Sequence, residues 1–301
     1  MARTGTGAKR GGKLRAFLET RRERVDRALD RLLPPRNEVP TKLHQAMRYS
    51  VFAGGKRVRP LLCLLASKAL GGSEKEALPA ACALEMVHTY SLVHDDLPAM
   101  DDDDLRRGKP TCHKKFGEAL AILAGDGLLT QAFYVLSRVQ PEERAGEAVL
   151  ILSRAAGSLG MVGGQVLDLE AEGKRATARR VSEIHRRKTG ALIEASAALG
   201  AWMAGADPAD RALLARYGEN VGLAFQIVDD ILDLESPSSV LGKTPGKDSR
   251  AGKVTYPAVH GIEGARRAAD AAVEAAMDAV RRFPESALLQ DFARLIIDRR
   301  S

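Results

Sequence analysis

The sequence ALEMVHTYSLVHDDLPAMDDDD, residues 83–104, joins an apolar helical run to a dense acidic cluster. Ser73 and Glu76 form a capping box that predicts where this helix begins, and the first carboxylates, Asp95 and Asp96, mark its end. An unpaired charge at the end of a buried element costs free energy, so these carboxylates require a cationic partner. The stretch therefore predicts a buried helix that ends in a cation-binding loop.

Helices are also predicted on both sides of this stretch, because Gly and Pro interrupt an otherwise apolar periodicity. Aromatic residues make up only 4% of the chain, and no alternating strand pattern is visible. The predicted helices lie at about 14–33, 41–53 with Thr41 as its cap, 60–70, 73–96, 116–138, 141–171, 177–204, 208–235 and from 257 onward. We therefore predict an all-α fold with one helical domain at residues 14–301, preceded by a basic disordered tail at residues 1–13.

The composition narrows the function classes. A net charge of +7 suits a phosphate-rich partner, which could be nucleic acid, an anionic membrane or a small diphosphate. The cysteines Cys63, Cys82 and Cys112 are odd in number and unpaired in spacing, which indicates reduced thiols. No run approaches ~18 uninterrupted apolar residues, and no secretory signal is visible, so we expect a soluble, cytoplasmic protein without integral membrane contact.

The first acidic cluster contains six aspartates between Asp95 and Asp104. An acidic run is commonly a solvated loop, but its position directly after an apolar helix favours a cation site. Asp95 and Asp101 would lie about 120° apart around a regular helix. They can converge only if the backbone departs from helical geometry near Pro98, and we predict that distortion.

The second acidic cluster is QIVDDILD, residues 226–233. Gln226, Asp229 and Asp233 lie on one helix face at this spacing. Oxygen ligands without a companion His or Cys favour magnesium over zinc. His88, His94, His113 and Cys112 do not have the spacing of zinc ligands, so zinc is not expected.

Basic segments complete the pattern. GGKRVRP, residues 54–60, places a glycine turn before a helix start at Pro60, which is suited to holding an anion. RRKTG at 186–190 and LGKTPGKDSRAGK at 241–253 add Lys188, Lys243, Lys247 and Lys253. A nucleic-acid binder would concentrate its cations in one stripe, whereas here acidic and basic motifs alternate.

In order and spacing, these motifs resemble the bacterial short-chain trans-prenyl diphosphate synthases, most closely the farnesyl diphosphate synthase type, over nearly the whole chain. The resemblance is carried by GGKRVRP, DDLPAMDDDDLRRG, GGQVLDLEAEGK, KTG, GLAFQIVDDILD and LGKTPGKD. It implies a helical bundle of the isoprenoid synthase type with a central active-site cavity. It also implies an enzyme that joins an allylic diphosphate, dimethylallyl or geranyl, to isopentenyl diphosphate with several Mg²⁺ ions.

The resemblance also implies roles for individual residues. The metal ligands would be Asp95, Asp101 and Asp229, and the allylic diphosphate would bind to Arg106, Lys188, Thr189, Gln226 and Lys243. Isopentenyl diphosphate would bind to Lys56, Arg59, His88 and Arg107. By this resemblance Tyr90 closes the floor of the hydrocarbon pocket and favours a fifteen-carbon product, although helix arithmetic places Ser91 nearest below Asp95.

Several alternatives remain at this point. A geranylgeranyl diphosphate synthase would use the same machinery with a deeper pocket. A terpene cyclase handles a single diphosphate and does not need GGKRVRP, and a non-catalytic partner subunit would not need two intact acidic motifs. A basic nucleic-acid-binding protein is the most distant alternative. The resemblance further implies a homodimer.

Overall fold

A computed structural model of the chain describes residues 4–175, 177–235 and 255–298. Most of these residues are helical, so the predicted all-α class is confirmed. The α-helices are α1 (Thr4–Leu32), α2 (Thr41–Val51), α3 (Val58–Ala69), α4 (Glu74–Asp95), α5 (Cys112–Phe116), α6 (Glu118–Leu136), α7 (Ala145–Ala156), α8 (Met161–Ala171), α9 (Ala178–Ile184), α10 (Ala191–Met203), α11 (Pro208–Glu235), α12 (Tyr256–Val280) and α13 (Ser286–Ile297). A 3₁₀ turn, Glu142–Arg144, precedes α7, and a π-helical segment, His185–Gly190, joins α9 to α10.

Helices α3 and α10 lie at the centre of the bundle, between two apolar cores. Leu64 of α3 and Leu192 of α10 belong to the core around α4 and α6. Leu65 of α3 and Ile193 of α10 belong to the core around α11 and α12. A helix that is apolar around its whole circumference can be buried on every side, which explains the central position of both helices. Gly200 brings them close, because a Cβ there would lie 2.3 Å from the Cys63 carbonyl oxygen.

Helix α1 begins at Thr4, so the backbone is helical over most of the segment for which the sequence predicts a disordered tail. Ala8, Lys9 and Arg10 are good helix formers, and they extend the amphipathic helix towards the N-terminus in spite of the glycines around them. The second helix also differs in detail. Pro40, not Thr41, occupies its N-cap position, and no side chain caps it.

Three predicted helices are interrupted, two of them at glycines. The third, predicted at 177–204, is interrupted by the π-helical segment His185–Gly190. Gly117, with a φ of 88°, separates α5 from α6. Gly157 and Gly160 separate α7 from α8, and a Cβ at Gly160 would lie 2.1 Å from the Ala155 carbonyl oxygen. Hydrophobic periodicity runs through such breaks because both halves bury the same face.

A short hairpin follows the acidic loop, which the sequence does not predict. Strand β1 (Leu105–Arg106) pairs antiparallel with β2 (Lys109–Pro110). Arg107 and Gly108, between the strands, have φ values of 55° and 73°. Two consecutive left-handed residues are the geometry of a two-residue hairpin turn, and from this turn the Arg107 side chain reaches the Gly54 carbonyl oxygen.

Two helical stretches of the described chain are long and apolar enough to cross a membrane by length and composition alone, Glu118–Leu136 and Glu142–Ala171. The first is α6, which packs against α4 and α2 in the bundle. The second is interrupted at Gly157–Gly160. Packing within the bundle accounts for part of the apolar character of both stretches.

Candidate active site

The acidic loop after α4 folds back onto the end of that helix. The Asp101 amide donates to the Asp95 carbonyl oxygen at 2.8 Å, and the Asp102 amide donates to the Leu97 carbonyl oxygen at 3.0 Å. Asp102 has a φ of 48°, a conformation that Asp and Asn tolerate better than most residues. The backbone therefore leaves helical geometry beside Pro98, and this departure brings Asp101 next to Asp95.

Asp96, the second aspartate of the loop, is buried and bound to Arg106. Arg106 Nε lies 2.8 and 2.9 Å from the two carboxylate oxygens of Asp96. Burial lowers the pKa of Arg106, but the hydrogen bond and the charge of Asp96 outweigh that effect and raise it. This pair neutralises the innermost carboxylate and fixes the start of the hairpin.

Asp95 is in a different electrostatic environment. Burial raises the pKa of Asp95 to about 6, Lys188 opposes that rise, and the charge of Asp101 adds to it. Two crowded carboxylates whose ionised form is penalised by burial gain free energy when a hard cation approaches. The oxygen donors of Asp95 and Asp101 therefore fit magnesium.

The same burial predicts that Asp95→Asn stabilises the metal-free protein. The pKa of Asp95 in the folded protein, about 6, exceeds the ordinary aspartate value of 3.8. The folded protein therefore binds the proton more tightly, and stability is lost as pH rises between these values. Above pH 6 the full cost is present. After a discount for partial exposure, we expect a gain of about 1 kcal/mol for Asp95→Asn, or a few degrees in Tm.

Thermal unfolding in a chelating buffer measures this effect. The advantage of Asp95→Asn should reach its full value at pH 8 and disappear below about pH 3, where Asp95 is protonated in both the folded and the unfolded state. A variant that is less stable than the parent at pH 8 would contradict the assignment of burial as the dominant influence on Asp95.

The π-helical segment provides the cation that faces Asp95. Lys188 Nζ lies 2.6 Å from Asp168 Oδ2 of α8, and its charge also acts on Asp95. Gly164 of α8 makes this approach possible, since a Cβ there would lie 2.1 Å from the Lys188 backbone nitrogen. The ammonium group is therefore bonded to a carboxylate of α8, and its charge lowers the pKa of a carboxylate of α4.

The next residue of the segment, Thr189, faces α11. Its hydroxyl donates to Gln226 Oε1 at 2.7 Å, and Gln226 Nε2 donates to Asp230 Oδ1 at 3.0 Å. Asp229 is half-buried one helical turn beyond Gln226, and Asp233 is exposed. The KTG motif therefore touches the second acidic motif through Thr189 and approaches the first through Lys188.

A basic subsite lies beside these acidic groups. Arg107 donates from Nη1 to the Gly54 carbonyl oxygen and covers Gly55, where a Cβ would lie 2.4 Å from that nitrogen. Burial lowers the pKa of His88 well below its ordinary value, and the charges of Arg59 and Arg107 lower it further. The imidazole is therefore neutral among positive charges, which is an arrangement suited to an anion.

Arg59 connects the basic subsite to the second acidic motif. Burial lowers its pKa, the charges of Glu85 and Asp229 raise it, and Arg107 lowers it. The Asp229 carboxylate of α11 is thus near enough to act on a guanidinium of α3. The first acidic motif is near the same cations, because the charge of Arg106 lowers the pKa of both Asp95 and His88.

Arg57 is the exception within GGKRVRP, because it serves the fold. It is buried, with Nη1 at 2.7 Å from Glu85 Oε1 and Nε at 2.8 Å from Asp26 Oδ1. Its φ of 52° turns the chain into α3. This buried pair fixes the backbone between the glycine turn and Arg59.

The structure therefore brings together most of the residues selected from sequence, in three groups. The first group, on one wall of the site, is Asp95, Asp101 and Arg106. The second group, on the opposite wall, is Gln226 and Asp229 together with Lys188 and Thr189, which reach from the π-helical segment towards both walls. The third group, the basic subsite, is Arg59, His88 and Arg107. Lys56 is exposed, and no described contact ties it to the subsite. Lys243, Lys247 and Lys253 lie outside the described residues.

Three residues of this site were not selected from sequence: Asp168, His185 and Asp230. Asp168 lies in GGQVLDLEAEGK, so the motif that contains it carried a signal, but its pairing with Lys188 depends on how α8 packs. Asp230 and His185 lie 3.2 Å apart, between Oδ2 and Nε2, across two elements that are far apart in sequence.

Among the described residues, the side chains of Asp102, Asp104 and His113 also come close enough to share a metal ion, with ligand atoms within 4.8 Å of one another. Lys114 Nζ lies 2.8 Å from Asp104 Oδ1, so an ammonium group already compensates one of these carboxylates. This group is separate from the predicted ligand set of Asp95, Asp101 and Asp229.

Tyr90 lies near the inner end of the acidic motif. Its side chain is buried, and its ring meets that of His94 edge-to-face, with centroids 5.7 Å apart. Burial raises the pKa of Tyr90 to about 12, and the charge of Asp95 adds to the rise. Ser91 donates its hydroxyl to the His88 carbonyl oxygen at 2.9 Å. Both candidate chain-length residues therefore lie on the helix that carries Asp95.

Comparison with known proteins agrees with this geometry. The family model for polyprenyl synthetases matches residues 40–293. The chain is 49% identical over 270 residues to a farnesyl diphosphate synthase of Geobacillus stearothermophilus, covering 88% of this chain and 90% of that protein. It is 46% identical over 291 residues to a geranylgeranyl diphosphate synthase of Cyanophora paradoxa, covering 95% and 96%.

Solved structures give the same result. The fold is similar to that of a Zymomonas mobilis FPP/GFPP synthase, with a TM-score of 0.86 and 36% identity over 95% of this chain and 99% of that chain. It is equally similar to a geranylgeranyl pyrophosphate synthetase from Pyrococcus horikoshii, with a TM-score of 0.87 and 33% identity over 95% and 98%. The chain therefore belongs to the polyprenyl synthetase family and is a prenyltransferase.

Proposed function

We propose that this prenyltransferase condenses an allylic diphosphate with isopentenyl diphosphate to give farnesyl diphosphate, in one step from geranyl diphosphate or in two successive steps from dimethylallyl diphosphate. Each step releases one diphosphate. The observation that carries this proposal is the position of the KTG motif between the acidic motifs. The charge of Lys188 lowers the pKa of Asp95, and the Thr189 hydroxyl is bonded to Gln226, one turn before Asp229. A single diphosphate group held there would contact both walls.

Two subsites are proposed for the two substrates. The allylic diphosphate binds between Asp95 and Asp229, with cationic and hydrogen-bonding partners from Arg106, Lys188, Thr189, Gln226 and Lys243. Isopentenyl diphosphate binds to Arg59, His88 and Arg107, with Lys56 at the exposed edge. Arg59 supports a close arrangement of the two subsites, since the charges of Asp229 and Arg107 both shift its pKa. Neighbouring subsites convert a bimolecular condensation into a reaction between positioned groups.

The proposed chemistry begins with heterolysis of the allylic carbon–oxygen bond, in which the bonding electrons pass to the diphosphate. Asp95, Asp101 and Asp229 would hold Mg²⁺, which when bound stabilises the charge that develops on this leaving group. Lys188 contributes a fixed positive charge at the same place. The double bond of isopentenyl diphosphate then attacks the allylic cation and forms the new carbon–carbon bond. The released diphosphate takes the proton that is lost, so no side chain is assigned as base.

A fifteen-carbon product is proposed because the buried ring of Tyr90 lies on α4 five residues before Asp95. Tyr90 is held by its edge-to-face contact with His94, and the His94 ring is itself held 3.0 Å from the Ile122 carbonyl oxygen of α6. A buried ring held by such a contact can stop a growing hydrocarbon chain. Geranylgeranyl diphosphate synthase activity is the second candidate, and the relatives with that name support it.

Replacing Tyr90 with alanine is expected to lengthen the product, so that chains of twenty carbons or more become the majority. Removal of the ring opens space below Asp95, and the hydrocarbon gains the apolar contacts that the ring made. Chromatography of the dephosphorylated products measures the change. Tyr90→Phe keeps the ring and should keep the parent profile, and an unchanged profile for Tyr90→Ala would refute this role.

Incubation with isopentenyl diphosphate and geranyl diphosphate, with and without Mg²⁺, tests the proposed function. We expect farnesyl diphosphate and free diphosphate only with the metal. Geranylgeranyl diphosphate as the main product would favour the second candidate. Diphosphate release from geranyl diphosphate alone, with a cyclic hydrocarbon as product, would indicate a terpene cyclase. Retention on nucleic acid at physiological salt without any turnover would support a nucleic-acid-binding protein.

We also propose a homodimer in the cytoplasm. Ile122, Leu123 and Tyr134 expose 45%, 54% and 56% of their surface on α6, as expected of a face that a second copy covers. Cys63, Cys82 and Cys112 are buried free thiols, which is typical of a reducing compartment. Light scattering during gel filtration tests the dimer.

A further inference from the structure

The buried carboxylate of Asp230 joins three elements of the bundle. Its Oδ1 accepts from Gln226 Nε2 at 3.0 Å, and its Oδ2 accepts from the Tyr256 amide, the first of α12, at 2.7 Å. Oδ2 also lies 3.2 Å from Nε2 of His185, the first residue of the π-helical segment. Asp230 and His185 are only 6% and 5% exposed, so water does not compete for these bonds.

The two adjacent aspartates of the second motif therefore face different partners. Neighbouring residues of an α-helix point about 100° apart. Asp229 acts on Arg59 of the basic subsite, whereas Asp230 faces the backbone of α12 and the ring of His185. Asp230 thus has a role within the framework of the site.

Asp230 also determines the orientation of the Gln226 amide. An ionised carboxylate can only accept, so the Gln226 nitrogen must face Asp230 and the oxygen must face Thr189. The Thr189 hydroxyl then donates to that oxygen at 2.7 Å. The direction of the Thr189 hydroxyl is therefore set by a carboxylate that Thr189 does not touch.

His185 holds the other end of the same segment. Because Asp230 Oδ2 is an acceptor, His185 Nε2 is the ring nitrogen that carries the donated proton. The ring stacks on Tyr256, with centroids 6.2 Å apart and planes 18° from parallel. The wider turn of a π-helix is frequent at functional sites, and here both its first residue and Thr189 are bonded to α11.

On the basis of the proposed function, we propose that His185 and Asp230 are positioning residues for the allylic diphosphate. They hold the π-helical segment and the Gln226 amide so that Lys188 faces Asp95 while Thr189 faces Gln226. Neither residue contacts substrate. Loss of the pair should therefore impair binding and turnover of the allylic substrate and leave the isopentenyl subsite intact.

His185→Phe, His185→Gln and Asp230→Asn test this inference. Phe keeps the ring but removes the donor, and we expect KM for geranyl diphosphate to rise about 10-fold and kcat to fall at least as much. Gln can place a nitrogen near the position of Nε2 and should restore both values to within about 3-fold. Asp230→Asn should have a larger effect than His185→Phe, because one acceptor becomes a donor that opposes Gln226 or His185. KM for isopentenyl diphosphate should stay within about 3-fold throughout.

His260→Phe is the matched control, since His260 is exposed and its ring lies 4.5 Å from the Tyr256 ring on the same helix.

If the parent protein condenses the substrates but His185→Phe and Asp230→Asn keep the parent KM and kcat, the inference is overturned even if Tm falls. An equal loss with His185→Gln, or an equal rise in both KM values, would also overturn it. If His185→Phe does not fold, His185→Asn replaces it, because its shorter side chain does not reach Asp230. A parent protein without condensation activity would instead refute the proposed function.

Discussion

Replacement of Asp95 with asparagine is expected to lower kcat/KM for condensation about 1000-fold or more. The asparagine side chain keeps the shape of aspartate, but it lacks the negative charge that binds a hard cation and that interacts with Lys188. Because the pKa of Asp95 is raised by burial, the metal-free variant should be more stable while being nearly inactive. Steady-state rates over a range of Mg²⁺ concentrations measure this effect, and saturation should require more metal in the variant.

Asp102→Asn is the matched control within the same loop. Asp102 is exposed, and its left-handed backbone conformation accepts asparagine readily. We expect its kcat/KM to remain within about 3-fold of the parent, since the Asp101–Asp95 contact joins backbone atoms and Asp102 is not among the main influences on the pKa of Asp95. Equal losses in the two variants would indicate that only the total charge of the loop matters, and that Asp95 has no special position.

The helices could largely be predicted from sequence because their signals are local. Ser73 accepts a hydrogen bond from the Glu76 amide, so the predicted Ser73 cap begins α4, whereas the Glu76 carboxylate binds Arg144 and does not complete the capping box. Asp207 likewise accepts from the Asp210 amide at the start of α11. The return of Asp101 to Asp95 was also predictable, because two repelling carboxylates beside a proline need a distorted backbone in order to meet.

The π-helical segment and the Asp230 contacts could not be predicted in the same way. An i,i+5 turn leaves no hydrophobic period of its own, and the interval from Thr177 to Ala204 therefore resembles one continuous helix. The bond between His185 and Asp230 joins residues on separate elements, and only tertiary packing determines it. Arg57 illustrates the same limit, since its burial against Glu85 distinguishes it from Arg59 although the two residues share a motif.

Replacement of Arg107 with glutamine is expected to raise KM for isopentenyl diphosphate about 100-fold, while KM for the allylic diphosphate changes less than about 3-fold. A charge-assisted bond to a diphosphate contributes about 3 kcal/mol, which corresponds to this factor. Arg107 is exposed at the hairpin turn, so the fold should not depend on it. Its charge lowers the pKa of both His88 and Arg59, which places it with them at the basic subsite.

Initial rates with each substrate varied in turn separate the two KM values. Lys109→Gln, two residues away on β2 and also exposed, is the control for a general loss of positive charge and should change neither value by more than about 3-fold. An equal rise in both KM values for Arg107→Gln would mean that the cations do not form two subsites. Selective loss of the isopentenyl substrate would instead support a hairpin turn that delivers Arg107 over Gly55 to an anion site separate from the acidic walls.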